Sequence, residues 1–281
     1  MQPFPVSKKI LIIVILLSLS IVLFNFFYSF NDHSTKIVFC NVGQGDAAYI
    51  RINNRFDLLI DAGPDRKVLD CLSKYMPFYD RKIELALLSH PNNDHYNGYF
   101  FITDRYKIDK FITVNSSIVS KTYKKLLQKI SDKKIPLLFS VSGEKIKVKD
   151  GQLTFFWPPN NFVSSSDNDF SHIVLFQENN FKALFTGDAS PFVLSRLLYQ
   201  VGAIRESPLH NIDVLKVPHH GSKNGLTETV IKYLRPKIAV ISVGKNSYGH
   251  PSKLILDLLR KYNVKVRRTD KEGNIDFSIS N

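Results

Sequence analysis

The chain of 281 residues contains only two cysteines, two methionines and one tryptophan. Two cysteines cannot form the disulfide framework of a small secreted domain, and neither belongs to a Cys-x-x-Cys metal or redox site. Whether Cys40 and Cys71 pair is left open by the sequence, since pairing requires export to an oxidising compartment. No repeat of about 20–50 residues is present, which excludes repeat architectures. The 44% hydrophobic content is enough for one substantial core.

Acidic side chains are scarce: 25 Asp and Glu face 38 Lys and Arg, which gives a net charge of +13. This surplus favours an anionic partner such as nucleic acid, anionic lipid or teichoic acid, although a Lys-rich composition without functional meaning is the alternative. The segment 105–149 concentrates it, with twelve basic residues against three acidic ones. Basic groups can neutralise phosphates and the interleaved aromatic rings can stack bases, but core packing is the simpler interpretation of the aromatics.

Alanine is absent before Ala47, so the amino-terminal segment contains no Ala-x-Ala cleavage site. Residues 10–30 carry no charge, and twenty-one helical residues span the apolar core of a bilayer. Lys8 and Lys9 precede them. We therefore predict a cytosolic tail (1–9), an uncleaved single-pass transmembrane signal anchor (10–30) and a folded domain outside the cell (31–281).

Metal-binding side chains are concentrated directly after one predicted strand. The apolar run 85–88 is followed by His90, Asn92, Asp94 and His95. Imidazole and carboxylate groups at this density are typical of Zn²⁺ or Mn²⁺ sites, whereas a single histidine is more often structural.

Three further predicted strands end in the same kind of residue. Asp188 follows the strand 182–185, His219 and His220 follow 213–217, and His250 lies in the loop after 238–243. Because strand ends build the sites of α/β sheets, we interpret the four ends as one dispersed metal centre. Ser222 and Lys223 add a hydroxyl and a cation suited to a phosphate oxygen. Asp61, at another strand end, suits orientation of the metal loop, although an Asx turn explains it equally well.

The remaining pattern predicts mixed helices and strands. Hairpins are predicted at 48–52/56–60, 145–149/153–157 and 173–177/182–185. Single strands are predicted at 36–42, 84–88, 110–114, 264–267 and 275–279, and helices at 65–76, 96–104, 121–130, 191–200 and 254–262.

Several motifs resemble the metallo-β-lactamase superfamily, and within it the extracellular hydrolase domain of ComEC-type competence DNA-uptake proteins. They are Asn41-Val-Gly-Gln-Gly-Asp46, Leu59-Ile-Asp-Ala-Gly63, Leu88-Ser-His-Pro-Asn-Asn-Asp-His95, Leu184-Phe-Thr-Gly-Asp188, Asp213-Val-Leu-Lys-Val-Pro-His-His-Gly-Ser222, Ala239-Val-Ile-Ser-Val-Gly244 and Tyr248-Gly-His-Pro251. The resemblance covers residues 36–279 and implies an α/β (α+β) fold, an αββα sandwich of two mixed sheets with a dinuclear site at one edge.

The resemblance also implies residue roles. The metal ligands are His90, Asn92, Asp94, His95, Asp188 and His220, with Asp188 bridging one or two divalent ions (Zn²⁺ or Mn²⁺). Asp94 belongs to the catalytic unit, His219 and His250 face substrate or transfer protons, and Asp61 and Asp46 support the ligands. Asn92 stands where this branch usually has Asp and the wider superfamily His, so one ion site is expected to be weaker. The ligand from the middle of the chain has no match, because His172 lies one position beyond the aligned Ser171. The pore-forming helices of full competence proteins have no counterpart in the sequence.

These features predict a membrane-anchored, metal-dependent phosphodiesterase or nuclease that acts on DNA, single-stranded DNA in particular, beside a separate DNA-uptake pore protein. Two alternatives stay open. One is hydrolysis of another phosphodiester or ester, such as the phosphorylcholine of teichoic acid. The other is a degenerate domain that binds DNA without cutting it, which Asn92 keeps in view.

Overall fold

The computed structural model describes residues 7–31, 34–202 and 208–279. The helices are α1 (Lys8–Asn31), α2 (Lys67–Tyr75), α3 (Asn93–Tyr96), α4 (Tyr99–Arg105), α5 (Lys121–Asp132), α6 (Pro191–Gly202), α7 (Glu228–Leu234), α8 (Lys253–Lys261) and α9 (Thr269–Glu272). The strands are β1 (Thr35–Phe39), β2 (Ala48–Ile52), β3 (Phe56–Ile60), β4 (Lys82–Ile83), β5 (Leu85–Leu87), β6 (Lys107–Ile108), β7 (Phe111–Thr113), β8 (Leu137–Phe139), β9 (Lys145–Val148), β10 (Gly151–Trp157), β11 (Ile173–Glu178), β12 (Phe181–Phe185), β13 (Val214–Lys216), β14 (Ile238–Ile241), β15 (Lys265–Arg268) and β16 (Ile275–Ile279).

Two seven-stranded mixed sheets form the centre of the fold. The first has the order β16-β1-β2-β3-β5-β7-β8, and the second has the order β15-β14-β13-β12-β11-β10-β9. In the first sheet β3, β5, β7 and β8 are parallel, and in the second β12 to β15 are parallel. The last strand, β16, pairs with the first, β1. The predicted fold of two mixed sheets is confirmed.

Side chains of alternate orientation build three apolar layers. On β3, Leu58 and Ile60 pack between the two sheets, whereas Leu59 packs against the outer layer that contains α2 and α5. The outer layer of the second sheet packs against α6, α7 and α8. Strands that are buried on both faces explain the nearly continuous apolar runs of the sequence.

Local turn chemistry explains where the predictions succeed. The hairpin β2–β3 has the predicted bounds, and Asn53 and Asn54 at its turn both adopt positive φ. Ser120 begins α5 by accepting a hydrogen bond from the Tyr123 N–H at 3.1 Å. Of the aromatics in the basic segment, Tyr106, Phe111 and Tyr123 are buried, as core packing requires, whereas Phe139 is exposed.

Residues 10–30 lie within the single helix α1, so the helical part of the amino-terminal prediction is observed. Judged by length and apolar character, no helix in the described part of the chain qualifies as a membrane-spanning segment. The predicted transmembrane anchor is therefore not supported by the structure. Residues 1–6 of the predicted cytosolic tail lie outside the described residues.

Cys40, directly after β1, and Cys71, in α2, form a disulfide with a Cα–Cα distance of 5.7 Å. The bond ties the first sheet to the helix packed on its outer face, across a sequence separation of 31 residues. The sequence alone left open whether Cys40 and Cys71 pair, and the structure shows that they do.

His172 is fully buried at the start of β11, where its Nδ1 donates to the Trp157 carbonyl at 3.2 Å. It belongs to none of the clusters of potential metal ligands among the described residues, in agreement with its exclusion from the predicted ligand set. Burial lowers the pKa of His172 to about 4.

The depressed pKa of His172 predicts a loss of stability in acid. Above pH 6.5 the ring is neutral in both states; between pH 6.5 and 4 only the unfolded chain gains the proton, which favours unfolding. We expect the free energy of unfolding to fall by roughly 3 kcal/mol more in the wild type than in His172→Gln over this range. Urea unfolding in EDTA at pH 7 and pH 4 measures this, and equal losses in the two proteins would contradict it.

Candidate metal centre

Asp61 holds the loop that carries the predicted ligands. It follows β3 with a positive φ of 57°, and its carboxylate accepts hydrogen bonds from the Ser89 N–H and the Ser89 hydroxyl, both at 2.7 Å. The second oxygen also lies 2.9 Å from His95 Nδ1. Because a carboxylate only accepts, His95 donates through Nδ1 and its Nε2 is left for a metal. The structure thus places Asp61 in the supporting position that the sequence predicted.

Potential metal ligands lie close together in overlapping groups of three, which include Asp94–His95–His220 and His90–His95–Asp188. The carboxylate of Asp188 lies 3.3 Å from His95 Nε2 and 3.6 Å from His220 Nε2. Asp94 lies 3.2 Å from His220 Nε2 and 4.0 Å from His95 Nε2. Ligands bound to one tetrahedral ion at about 2.0–2.2 Å lie roughly 3.3–3.6 Å from one another, so this arrangement suits such an ion.

The environment of the cluster also fits a cation. Nε2 of His90, Nε2 of His95 and Oδ1 of Asp188 are buried without a hydrogen-bond partner among the described residues. Unsatisfied buried polar atoms are costly, and a bound ion would satisfy them. Burial and the neighbouring His95 lower the pKa of His90 to about 3, which keeps its nitrogen lone pair free. These residues therefore fit the metal that the sequence predicted.

The ligands come from both sheets. His90, Asp94 and His95 follow β5 of the first sheet, Asp188 follows β12 and His220 follows β13 of the second. Burial opposes ionisation of Asp188, but the positive charges of His220 and His95 outweigh it and hold the Asp188 pKa well below its usual range. The same carboxylate raises the pKa of His220 to about 10 against the effect of burial.

Strained backbone orients the two adjacent histidines differently. His219 and His220 have positive φ values of 51° and 52°, a conformation that costs non-glycine residues about 1–3 kcal/mol each and is typical of functional sites. His220 Nδ1 lies 2.9 Å from the Ser242 carbonyl, which leaves Nε2 facing the cluster. His219 is half-buried, with Nε2 3.8 Å from Asp188. The geometry favours His220 as the ligand.

His219 and His250 form the wall of a cleft of about 680 Å³ above the cluster, with ring centroids 5.5 Å apart. Burial lowers the pKa of both rings, so they are neutral near pH 7 and able to accept a proton. Ser222 and Lys223 do not line this cleft. Ser222 is buried and its hydroxyl accepts from the Asn224 N–H, while Lys223 is exposed, so their role in phosphate binding stays a prediction.

Asn92 acts as the amino-terminal cap of α3, and its amide oxygen accepts a hydrogen bond from the Asn93 N–H at 2.8 Å. The side chain lines the cleft but carries no charge toward His90. A second ion beside His90 would find two strong ligands there, His90 and Asp188, whereas an ion beside His220 would find Asp94, His95 and Asp188 close by. The weaker second site expected from the sequence stays a prediction.

Asn92→Asp is expected to raise the affinity for a second ion at least about tenfold, because a carboxylate adds the missing charge. Asp caps a helix as well as Asn does, so α3 is retained. Metal titration followed by calorimetry measures both sites. Asn93→Asp, the same charge change one position further on, is the control and should leave the second affinity near the wild-type value. Equal effects of the two substitutions would contradict a ligand role.

Lys216 is a residue of the site that the sequence reasoning missed. It is 3% exposed at the end of β13, and its ammonium forms an ion pair with Asp46 and donates to the Gly187 carbonyl at 3.1 Å. Asp46 in turn lies 3.3 Å from His220 Nδ1. Burial opposes ionisation of Asp46, but Lys216 and His220 hold its pKa well below the usual range. The available signal was a lysine between the apolar residues Leu215 and Val217 of a predicted buried strand.

Comparisons with known proteins agree with this site and fold. Residues 40–245 match the family model described as the metallo-beta-lactamase superfamily. ComE operon protein 3 of Bacillus subtilis is 28% identical over 277 residues, covering 91% of this chain and 34% of that protein. Recombination protein 2 of Haemophilus influenzae is 27% identical over 267 residues, covering 93% of this chain and 31% of that protein.

The chain thus spans about a third of the length of these curated relatives. Among solved structures, the metallo-beta-lactamase fold protein YhfI of Bacillus subtilis superimposes with a TM-score of 0.61 at 12% identity, covering 88% of this chain and all of that one. The predicted resemblance to ComEC-type competence proteins is confirmed.

Proposed function

Since the chain belongs to the metallo-β-lactamase superfamily, we propose that it is a metal-dependent phosphodiesterase that cuts nucleic acid, with single-stranded DNA as the substrate. The observation that carries the proposal is the set of overlapping ligand groups formed by Asp94, His95, Asp188 and His220 beside an open cleft. Ligands that lie this close together favour an enzyme over a domain that only binds DNA.

The residues around the cluster suit phosphodiester hydrolysis. A divalent ion held by the cluster would supply Lewis acidity and an activated water at neutral pH, and either Zn²⁺ or Mn²⁺ fits the donors. Asp61 and the Ser242 carbonyl orient His95 and His220 through their Nδ1 atoms. His219 and His250, neutral and on the cleft wall, can accept a proton and pass it to the leaving oxygen.

A basic surface beside the cleft supports an anionic polymer as substrate. The hydroxyl of Tyr96, the residue after His95, lies 3.1 Å from Oγ of Ser120, the cap of α5. Lys121, Lys124 and Lys125 are exposed on the first turns of that helix. Their ammonium groups can neutralise phosphates of a strand that enters the cleft. The resemblance to ComEC-type competence proteins and the name of Recombination protein 2 support DNA as that strand.

The function is tested with the full chain, a fluorescently labelled single-stranded DNA and glycerophosphocholine as a choline phosphodiester. We expect the DNA to be cut, cleavage to stop in EDTA, and Zn²⁺ or Mn²⁺ to restore it. Hydrolysis of the choline diester without cleavage of DNA would assign the other substrate class. A protein that binds metal and DNA but hydrolyses neither the DNA nor the choline diester would contradict the proposed enzymatic activity.

We also propose a membrane-anchored location with the hydrolase domain outside the cell, beside a pore protein that takes up the DNA. Two observations support it: the uncharged length of residues 10–30, and the disulfide between Cys40 and Cys71, a bond that persists in oxidising compartments. Alkaline extraction of membranes and protease treatment of intact cells test it. Release by alkali, or a domain that protease cannot reach, would contradict the location.

A further inference from the structure

The loop between β14 and α8 has a fixed conformation. The Asn246 amide donates to the Gly244 carbonyl at 2.9 Å and to the His250 carbonyl at 2.8 Å. Its oxygen accepts from the Tyr248 N–H at 3.1 Å and the His250 N–H at 3.0 Å. These four hydrogen bonds fix the backbone that carries Tyr248, and the Tyr248 side chain lines the cleft.

Tyr248 is a large aromatic side chain that is 74% exposed. Its ring centroid lies 5.7 Å from that of His250, with planes tilted by 33°, and His250 lies 5.5 Å from His219. Three rings therefore run from beside Asp188 to the rim. Packing does not explain an exposed aromatic that is held in place by its own backbone and lines the same cleft as the metal cluster.

We propose that Tyr248 stacks a nucleobase of the substrate, one nucleotide away from the phosphate at the metal cluster; the inference rests on the proposed function. Every base has an aromatic face, so such a platform binds single strands with little preference for sequence. Lys245, which lines the same cleft, offers a cation to the backbone of that strand. Stacking on Tyr248 would distinguish nucleic acid substrates from choline phosphodiesters, because choline phosphodiesters have no aromatic ring.

The test compares a single-stranded oligonucleotide with one of equal length whose bases are replaced by abasic tetrahydrofuran residues. In the wild type we expect KM to be about tenfold higher for the abasic strand, as expected from the loss of one stacked base. In Tyr248→Ala the two KM values should become similar through a rise in KM for the natural strand. Tyr248→Phe should keep the tenfold ratio. Tyr199→Ala should also keep the ratio, since it removes a tyrosine on α6 that is more exposed, at 88%.

A second measurement does not depend on cleavage. An oligonucleotide containing 2-aminopurine is titrated in EDTA, and stacking on Tyr248 should quench its fluorescence in the wild type and in Tyr248→Phe but not in Tyr248→Ala. If DNA is cut and bound but the KM ratio and the quenching are the same in Tyr248→Ala, the stacking role is wrong while the proposed function stands. If the wild type neither binds nor cuts DNA, both are wrong.

Discussion

Asp188→Asn is expected to lower DNA hydrolysis by about 10³-fold or more and to remove the bound metal. The Asp188 carboxylate lies 3.3 Å from His95 Nε2 and 3.6 Å from His220 Nε2. The substitution keeps the size of the side chain and the hydrogen bond from the Asp188 N–H to Ser171, so the loop is preserved. It removes the one charge that both ions of a dinuclear site would share, and loss of one member of a catalytic unit commonly costs this much activity.

Metal analysis by mass spectrometry and single-turnover cleavage of labelled DNA measure both effects, and circular dichroism checks the fold. Asp213→Asn is the matched control: Asp213 precedes β13 and pairs with Lys237 on the surface at 2.7 Å. It should retain metal and activity. An Asp188→Asn protein within tenfold of the wild type would disprove the assignment of the metal centre.

Lys216→Met is expected to have the largest effect on folding, a loss of about 3–5 kcal/mol in the free energy of unfolding. The side chain is 4% exposed and its partner Asp46 is 7% exposed, so the substitution leaves a buried carboxylate without its nearest counter-charge. Lys237→Met breaks an ion pair whose lysine is 71% exposed and should cost less than about 1 kcal/mol. Urea unfolding in EDTA measures both losses without a contribution from metal.

A double variant separates the buried charge from lost packing. Lys216→Met combined with Asp46→Asn removes both members of the pair and should recover part of the stability, because no uncompensated charge remains. If the double variant loses as much stability as Lys216→Met and Asp46→Asn lose when measured separately and added, Lys216 stabilises the fold through its packing alone.

The predictable parts of the fold are those with strong local signals. The hairpin β2–β3 is marked by two largely apolar runs on either side of Asn53-Asn54, and α6 is marked by Ser190-Pro191 at its start. In contrast β8 (Leu137–Phe139) was missed, because it is a three-residue edge strand with two exposed apolar residues and therefore lacks alternation. The order of strands, including the pairing of β16 with β1, depends on contacts between distant residues that no local pattern contains.

The residues of the site also fall into two groups: those that the sequence could identify and those that required the folded structure. Motif residues such as His90 and Asp188 stand at strand ends and could be found from the sequence. The choice between His219 and His220 depends on two consecutive left-handed conformations, which the sequence does not encode in a recognised pattern. Tyr248 could be identified only from the structure of the cleft, because its exposure and the hydrogen bonds of Asn246 are properties of the folded loop.

Because the ligand residues come from both sheets, a bound ion would have a mechanical effect. An ion bound by Asp94 and His95 on one side and by Asp188 and His220 on the other is a cross-link between two halves of the sandwich, joining residues as much as 126 positions apart. Its binding free energy adds to the cohesion of the apolar layer between the sheets. Metal concentration in the surroundings would then set how firmly the two halves hold together, and with it the resistance of the protein to proteases.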